Sequence, residues 1–310
     1  MPIEEVMTPI QSLMSGLIDY AGLFPPAKLD MGPVVQNYAS YLESDHEWML
    51  GRLIVPLSRL EEFESAANEL LPRDGEAMAW RISALLPPIA GADLDSLFGQ
   101  IDAFNAKHLD SDNGLALIDT IEIRADDTRE IDSLLRMLPD QARAFVEIPV
   151  GDDPRGLVAA LAGTGCAAKI RTGSVNADEI PRVGEVARFI CACARADVPF
   201  KATAGLHHPI RAEHNLTYED DSPRGTMHGF VNVFLAACWA FTEGCTASAM
   251  ESVLDERSAG CFVFDETGVK WKQNHIANAQ IAASREHFAL SFGSCSFTEP
   301  LEDLRELRLL

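Results

Sequence analysis

The chain has 310 residues, 47% of them hydrophobic, which is enough to bury a full-sized core and fits the size at which an α/β barrel of roughly 250 residues forms one domain. Lys and Arg total 25 against 47 for Asp and Glu, a net charge of −22, and such a surface repels nucleic-acid phosphates and anionic lipid. Neither nucleic acid nor a membrane is an expected partner. The amino terminus carries Glu4 and Glu5 and no long apolar run, so no signal peptide or spanning helix is expected and the expected location is the cytoplasm. Seven cysteines, with the closest pair Cys191 and Cys193 lacking zinc-site or redox spacing, read as reduced thiols.

In chain order, short apolar runs at 17–23, 52–56, 80–86, 120–125, 144–150, 167–172 and 200–204 read as strands. Amphipathic stretches at 57–71, 93–107, 128–138 and 183–194 separate them, with apolar residues every three or four positions. That alternation predicts repeated βα units closing into one (β/α)8 TIM barrel, a single domain over 1–310. A long polar stretch at 206–227 follows the seventh strand, where barrels carry function. The apolar run 230–241, with Cys238 and Trp239, fits a buried helix or a subunit interface, so a homo-oligomer is left open. Residues 261–264 and 269–272 flank Asp265-Glu266-Thr267-Gly268 and predict a β-hairpin, an insertion over 260–273. A hairpin cannot be a βα unit, so residues 288–294 are taken as the eighth strand, preceded by a helix at 276–287 and followed by a closing helix at 299–310.

Chemistry concentrates on two lysines at equivalent places on consecutive strands. Lys169 and Lys201 each precede a strand-ending glycine, Gly173 and Gly205, by four residues. Burial disfavours an ammonium, and a second ammonium nearby pushes the same way, leaving one amine neutral and nucleophilic as imine chemistry requires. Helix-layer packing or pairing with Glu122 or Glu147 is the alternative reading. Arg171 shares a strand face with Lys169 and is suited to gripping an anion; a structural ion pair is its alternative. Asp19, Glu122 and Glu147 are carboxylates in apolar strands, able to serve as acid, base or counter-charge if they face inward. His207, His208, His214 and His228 cluster in or just after the long loop without a His-x-x-x-His spacing, so substrate contact or a structural role is preferred to metal ligation. The run Leu23-Phe24-Pro25-Pro26-Ala27 reads as a rigid rim turn. Gly293-Ser294-Cys295-Ser296 ends the last strand where backbone N–H groups and hydroxyls can hold an anion, and Cys295 has no base evident in the sequence.

These segments resemble the class I (Schiff-base) aldolases of the deoxyribose-phosphate aldolase type, (β/α)8 barrels, over the second half of the chain. Glu147-Ile148, Lys169-Ile170-Arg171-Thr172-Gly173 and Lys201-Ala202-Thr203-Ala204-Gly205 are similar, in order and separation, to that family's Glu-Thr, Lys-Thr-Ser-Thr-Gly and Lys-Ala-x-Gly-Gly segments. The resemblance implies that Lys169 is the imine-forming lysine and Lys201 the cation that lowers its pKa; Glu147 and Glu122, as carboxylates able to shuttle protons, are the further catalytic candidates. The resemblance also implies that Ser294 and Ser296, in a turn similar to the family's Gly-Thr/Ala-Ser-Ser, help bind the substrate; Arg171, Asp19, Thr203, His207 and His208 are candidate substrate-binding residues by their own chemistry and position, and His207-His208-Pro209 has no counterpart in the family. Arg171 and Ala204-Gly205 depart from the family pattern, and the family's strand-four aspartate corresponds here to Asp119 or Glu122. The expected function is therefore that of an aldolase-like lyase acting on a small anionic carbonyl compound, with no cofactor and no metal. A metal-dependent hydrolase or lyase using barrel carboxylates with His207 or His208, and a non-catalytic metabolite-binding barrel, are the competing readings.

Overall fold

The computed structural model describes residues 7–139, 142–151, 153–244 and 246–310. Eight parallel strands close into a barrel: β1 (Ile18–Tyr20), β2 (Leu50–Pro56), β3 (Trp80–Leu85), β4 (Ala116–Arg124), β5 (Arg143–Glu147), β6 (Ala167–Arg171), β7 (Phe200–Thr203) and, last in the chain, β13 (Ala289–Ser294). Each hands on to an outer helix, giving a (β/α)8 TIM barrel. These helices are α2 (Met31–Leu42), α3 (Leu60–Ala67), α4 (Leu94–His108), α5 (Thr128–Leu135), α6 (Arg155–Leu161), α7 (Val183–Ala196), α8 (Phe230–Glu243) and α11 (Thr298–Glu306). A short helix α1 (Pro9–Met14) precedes the barrel, while α9 (Ala247–Leu254) and α10 (Asn278–His287) lie between α8 and β13.

The choice of residues 288–294 as the eighth strand is borne out: β13 pairs with β1 on one side and β7 on the other. The insertion is larger than a hairpin. Strands β10 (Phe262–Asp265) and β11 (Gly268–Trp271) pair as expected, but β12 (Asn274–Ala277) adds a third antiparallel strand. Helix α10 therefore starts at Asn278, later than the sequence pattern predicts, because Val269 and Ile276 pair across this small sheet and bury against the core. Residues 206–227 likewise contain structure, the antiparallel pair β8 (Ala212–Asn215) and β9 (Arg224–Met227).

Along each barrel strand, outward residues such as Ile82 and Ala84 on β3 or Ala168 and Ile170 on β6 pack beneath the helices. Helix α8 is buried on nearly all sides, so packing inside the chain accounts for its apolar composition. Helix starts use local polar groups: Asp127 accepts from the N–H groups of Arg129 and Glu130 at the head of α5. Among the described residues no helix is long and apolar enough to cross a membrane. Cys166, Cys193, Cys238, Cys261 and Cys295 are free thiols as expected, but Cys191 is disulfide-bonded, which corrects the expectation that every cysteine is reduced. Cys193, on the same helix, is free, as its spacing from Cys191 suggests.

Candidate active site

Period-two alternation and strand register bring the singled-out residues to one level inside the barrel. Lys169 is paired with Glu147 on one side and with Lys201 on the other, and Lys201 is paired with Ser291. Glu122 on β4 reaches across to both lysines. Its Oε2 lies 2.8 Å from Lys169 Nζ and its Oε1 2.6 Å from Lys201 Nζ. Lys169 Nζ also lies 2.8 Å from Glu147 Oε2, and Lys201 Nζ lies 2.5 Å from Asp19 Oδ2. The chain of charges thus runs Asp19, Lys201, Glu122, Lys169, Glu147, ending at Arg171, whose Nε is 3.4 Å from Glu147 Oε1.

Hydroxyls and backbone complete the network. Ser83 donates to Glu122 at 2.8 Å, Ser291 donates to Asp19 at 2.8 Å, and the Arg52 N–H donates to Asp19 Oδ1 at 2.7 Å. Gly51 matters here because a Cβ at that position would collide with Asp19 Oδ1. The Lys201 ammonium also lies 5.2 Å from the centre of the Phe145 ring. Ser83 and Ser291 were not singled out from the sequence, though Ser83 is the one hydroxyl residue of β3 and Ser291 lies in the otherwise largely apolar β13. The two candidates for the strand-four acid separate cleanly: Asp119 is bound by Arg52 and Arg81, and Glu122 alone of the pair meets the lysines.

Burial raises the proton affinity of Glu122, but the Lys169 and Lys201 ammoniums outweigh it and hold the carboxyl far below the ordinary range. Glu147, also buried, is held low by Lys169 and Arg171. Lys169 differs from the expectation. Burial works against its ammonium, yet Glu122 and Glu147 more than compensate, and its pKa lies above the usual lysine value. Glu122 sits between the two cations and Glu147 flanks Lys169, so the pairing with Glu122 and Glu147, the alternative reading of the lysines, is what the structure has.

Above this level a cavity of about 350 Å³ opens at the carboxyl ends of the strands, with every barrel strand or the residue following it contributing, from Ala21 after β1 round to Gly293 on β13. Glu122, Glu147, Lys169, Arg171, Thr203 and His207 line it. Phe24, Pro25 and Pro26 form part of the rim, as expected. Lys201 and Asp19 lie beneath, with fully buried side chains. The hydroxyls of Ser294 and Ser296 are used inside the turn that leads to α11: Ser294 Oγ accepts from the Ser296 N–H and Ser296 Oγ from the Glu299 N–H. Between them, Cys295 lines the cavity.

The histidines are tied to α11. His207 Nδ1 lies 3.0 Å from Glu299 Oε2 and His208 Nδ1 2.7 Å from Asp303 Oδ2, with His214 stacked on His208 at 3.5 Å between ring centres. His228 points elsewhere, donating from Nε2 to the Pro181 carbonyl. A second, more open cavity of about 640 Å³ adjoins the first and shares His207, Leu216, Met227 and Pro26 with it. Among the described residues no group of three or more His, Cys, Asp or Glu is disposed to hold a metal ion. Glu299, Asp303 and Tyr218 are partners that sequence reasoning missed, because nothing local links residue 207 to residue 299.

Comparison with protein families, with curated proteins and with solved structures finds no match to this chain.

Proposed function

We propose that this barrel is a lyase of the class I aldolase type, forming an imine between Lys169 Nζ and the carbonyl carbon of a small anionic carbonyl compound. One observation carries the reading: two buried ammonium groups share one carboxylate, Glu122, and of the two only Lys169 opens onto the cavity. Barrel enzymes place their chemistry at this end of the strands, and the fold is compatible with an enzyme.

At rest Lys169 is protonated, and it must lose that proton before it can attack. Glu147 is placed to receive it, 2.8 Å away and shared with Arg171. An anionic group that draws Arg171 towards itself weakens the hold on the Glu147 carboxylate and raises its proton affinity. The proton then passes from Lys169 to Glu147, and the neutral amine adds to the carbonyl carbon. Returned to the carbinolamine hydroxyl, the same proton lets that oxygen leave as water; the resulting iminium then accepts the electron pair of the bond between its α and β carbons, the β-hydroxyl gives its proton to the freed Glu147 carboxylate, and the β carbon leaves as an aldehyde. Lys201 takes half of the Glu122 charge, so Glu122 binds the Lys169 proton less tightly than an unshared carboxylate would.

The test is intact-mass spectrometry after incubation with pyruvate, glyceraldehyde phosphate and similar carbonyl compounds plus borohydride. The expected result is a reduced adduct on the native protein that is lost in Lys169→Ala, with the variant still folded as shown by a cooperative thermal transition. Absence of an adduct across the panel, or its persistence in Lys169→Ala, rejects the reading.

A further inference from the structure

The cavity holds a second nucleophile that imine chemistry leaves unused. Cys295 is a free thiol that lines the cavity at the end of β13. Its Sγ lies 3.9 Å from His207 Nε2, and the other nitrogen of that ring, Nδ1, lies 3.0 Å from Glu299 Oε2. Tyr218 closes the group, with its hydroxyl donating to Glu299 at 2.9 Å and lying 3.7 Å from the Cys295 sulfur. A thiol beside a ring nitrogen, with a carboxylate on the opposite nitrogen, is the arrangement that activates a nucleophile: the carboxylate fixes the tautomer and the imidazole takes the proton. A sulfur-to-nitrogen distance of this length is common where no substrate is bound. The ring is almost wholly enclosed; burial disfavours its charged form, but Cys295 and Glu299 outweigh that and push its pKa up to about 9. An imidazolium beside the sulfur stabilises a thiolate.

We propose that Cys295, His207 and Glu299 form a second covalent centre in the cavity, which captures an aldehyde as a thiohemiacetal. In this step one bond forms between Sγ and the aldehyde carbon, and the carbonyl π pair moves onto oxygen. The thiol proton travels through His207 Nε2 to that oxygen. Nothing is oxidised and no further reactant is needed. Glu299 orients the ring, Tyr218 anchors Glu299, and neither touches the aldehyde. The choice of an aldehyde rests on the carbonyl chemistry proposed above, whereas the activation of the thiol does not. Such a centre would hold the aldehyde fragment of a cleaved substrate a short distance from the lysine and delay its escape.

The experiment is alkylation by iodoacetamide, followed cysteine by cysteine through peptide mass spectrometry. Cys261 is the internal control, because it is free and more exposed than Cys295. Cys295 is expected to react faster than Cys261 by about an order of magnitude despite its burial, to lose that advantage in His207→Gln, and to lose part of it in Glu299→Gln. Glyceraldehyde added to Lys169→Ala is expected to slow alkylation of Cys295 and leave Cys261 unchanged. Because that arm lacks the lysine, it separates thiol capture from imine formation. Equal rates at Cys295 and Cys261 in the native protein overturn the activated thiol without any variant, so a folding defect in His207→Gln cannot rescue the idea. An activated Cys295 that glyceraldehyde fails to protect overturns the capture step.

Discussion

Lys201 keeps its ammonium between Asp19 and Glu122 with no access to water, so an apolar replacement leaves two carboxylates facing each other in the barrel. Removing one member of a buried ion pair costs about 3–5 kcal/mol. Lys201→Met is expected to lose stability in that range in urea unfolding, and Lys169→Met less, because its partner Glu147 keeps Arg171 and some exposure to the cavity. Equal losses would mean that the two lysines are equivalent in the network. At this scale the lysines were legible because each sits four residues before a glycine on consecutive strands, a pattern that puts them at one level while leaving inward and helix-layer faces open. Asp19, Glu122 and Glu147 were legible as unusual carboxylates and as possible counter-charges, but which lysine each meets was not, since period two leaves the choice of face open until the register is known. The Cys295 and His207 contact was hidden altogether. The two residues are 88 positions apart and meet only because β7 and β13 are neighbours in the closed barrel.

The same pair of glycines governs the elements that carry the lysines. Gly173 follows β6 and Gly205 follows β7, and their backbones touch: a Cβ on Gly173 would lie 2.5 Å from Gly205 Cα, and one on Gly205 would lie 2.6 Å from Gly173 Cα. Gly205 also has a φ of +72°, a conformation that L side chains rarely adopt. Thr172 reinforces the join, its hydroxyl donating to the Ala204 carbonyl at 2.7 Å. Gly205→Ala should therefore pry the two strand ends apart, costing about 2–4 kcal/mol and weakening any ligand that bridges Arg171 and Thr203. Paired measurements of urea stability and ligand affinity check this, and a fully stable Gly205→Ala protein would contradict it. The barrel strands and most outer helices were readable from periodicity. The β8–β9 pair and β12 were not, because four-residue strands rich in polar side chains look like loop until a partner strand is placed beside them.

For the molecule as a whole, the buried titrating groups set opposite limits on stability. Burial pushes the His228 pKa down to about 4, so its neutral ring contributes stability that is complete above about pH 6.5 and is lost as pH falls towards 4. For this enclosed ring the contribution is roughly 3 kcal/mol. Glu122 and Glu147, held low by the lysines, add a contribution that is present above about pH 4.3 and fades below it. In the other direction the raised value at His207 contributes stability below about pH 6.5 that disappears as pH climbs through 9. The thermal midpoint is expected to peak between about pH 6 and 7 and to decline on both sides, and a midpoint unchanged from pH 4 to 7 would contradict the acid limb.

The row of charges lies at one height in the barrel, and the walls of the cavity rise above it from the ends of all eight strands. On the proposed function, imine chemistry belongs to the floor and the choice of substrate to the storey above it. The upper storey, made of the rim after β1, the β8–β9 arm and the turn into α11, can be rebuilt segment by segment to admit a different molecule. The floor cannot be altered piecemeal, because each carboxylate there serves two neighbours or closes the row. Inheritance through such a design would keep the chemistry and let the clientele change.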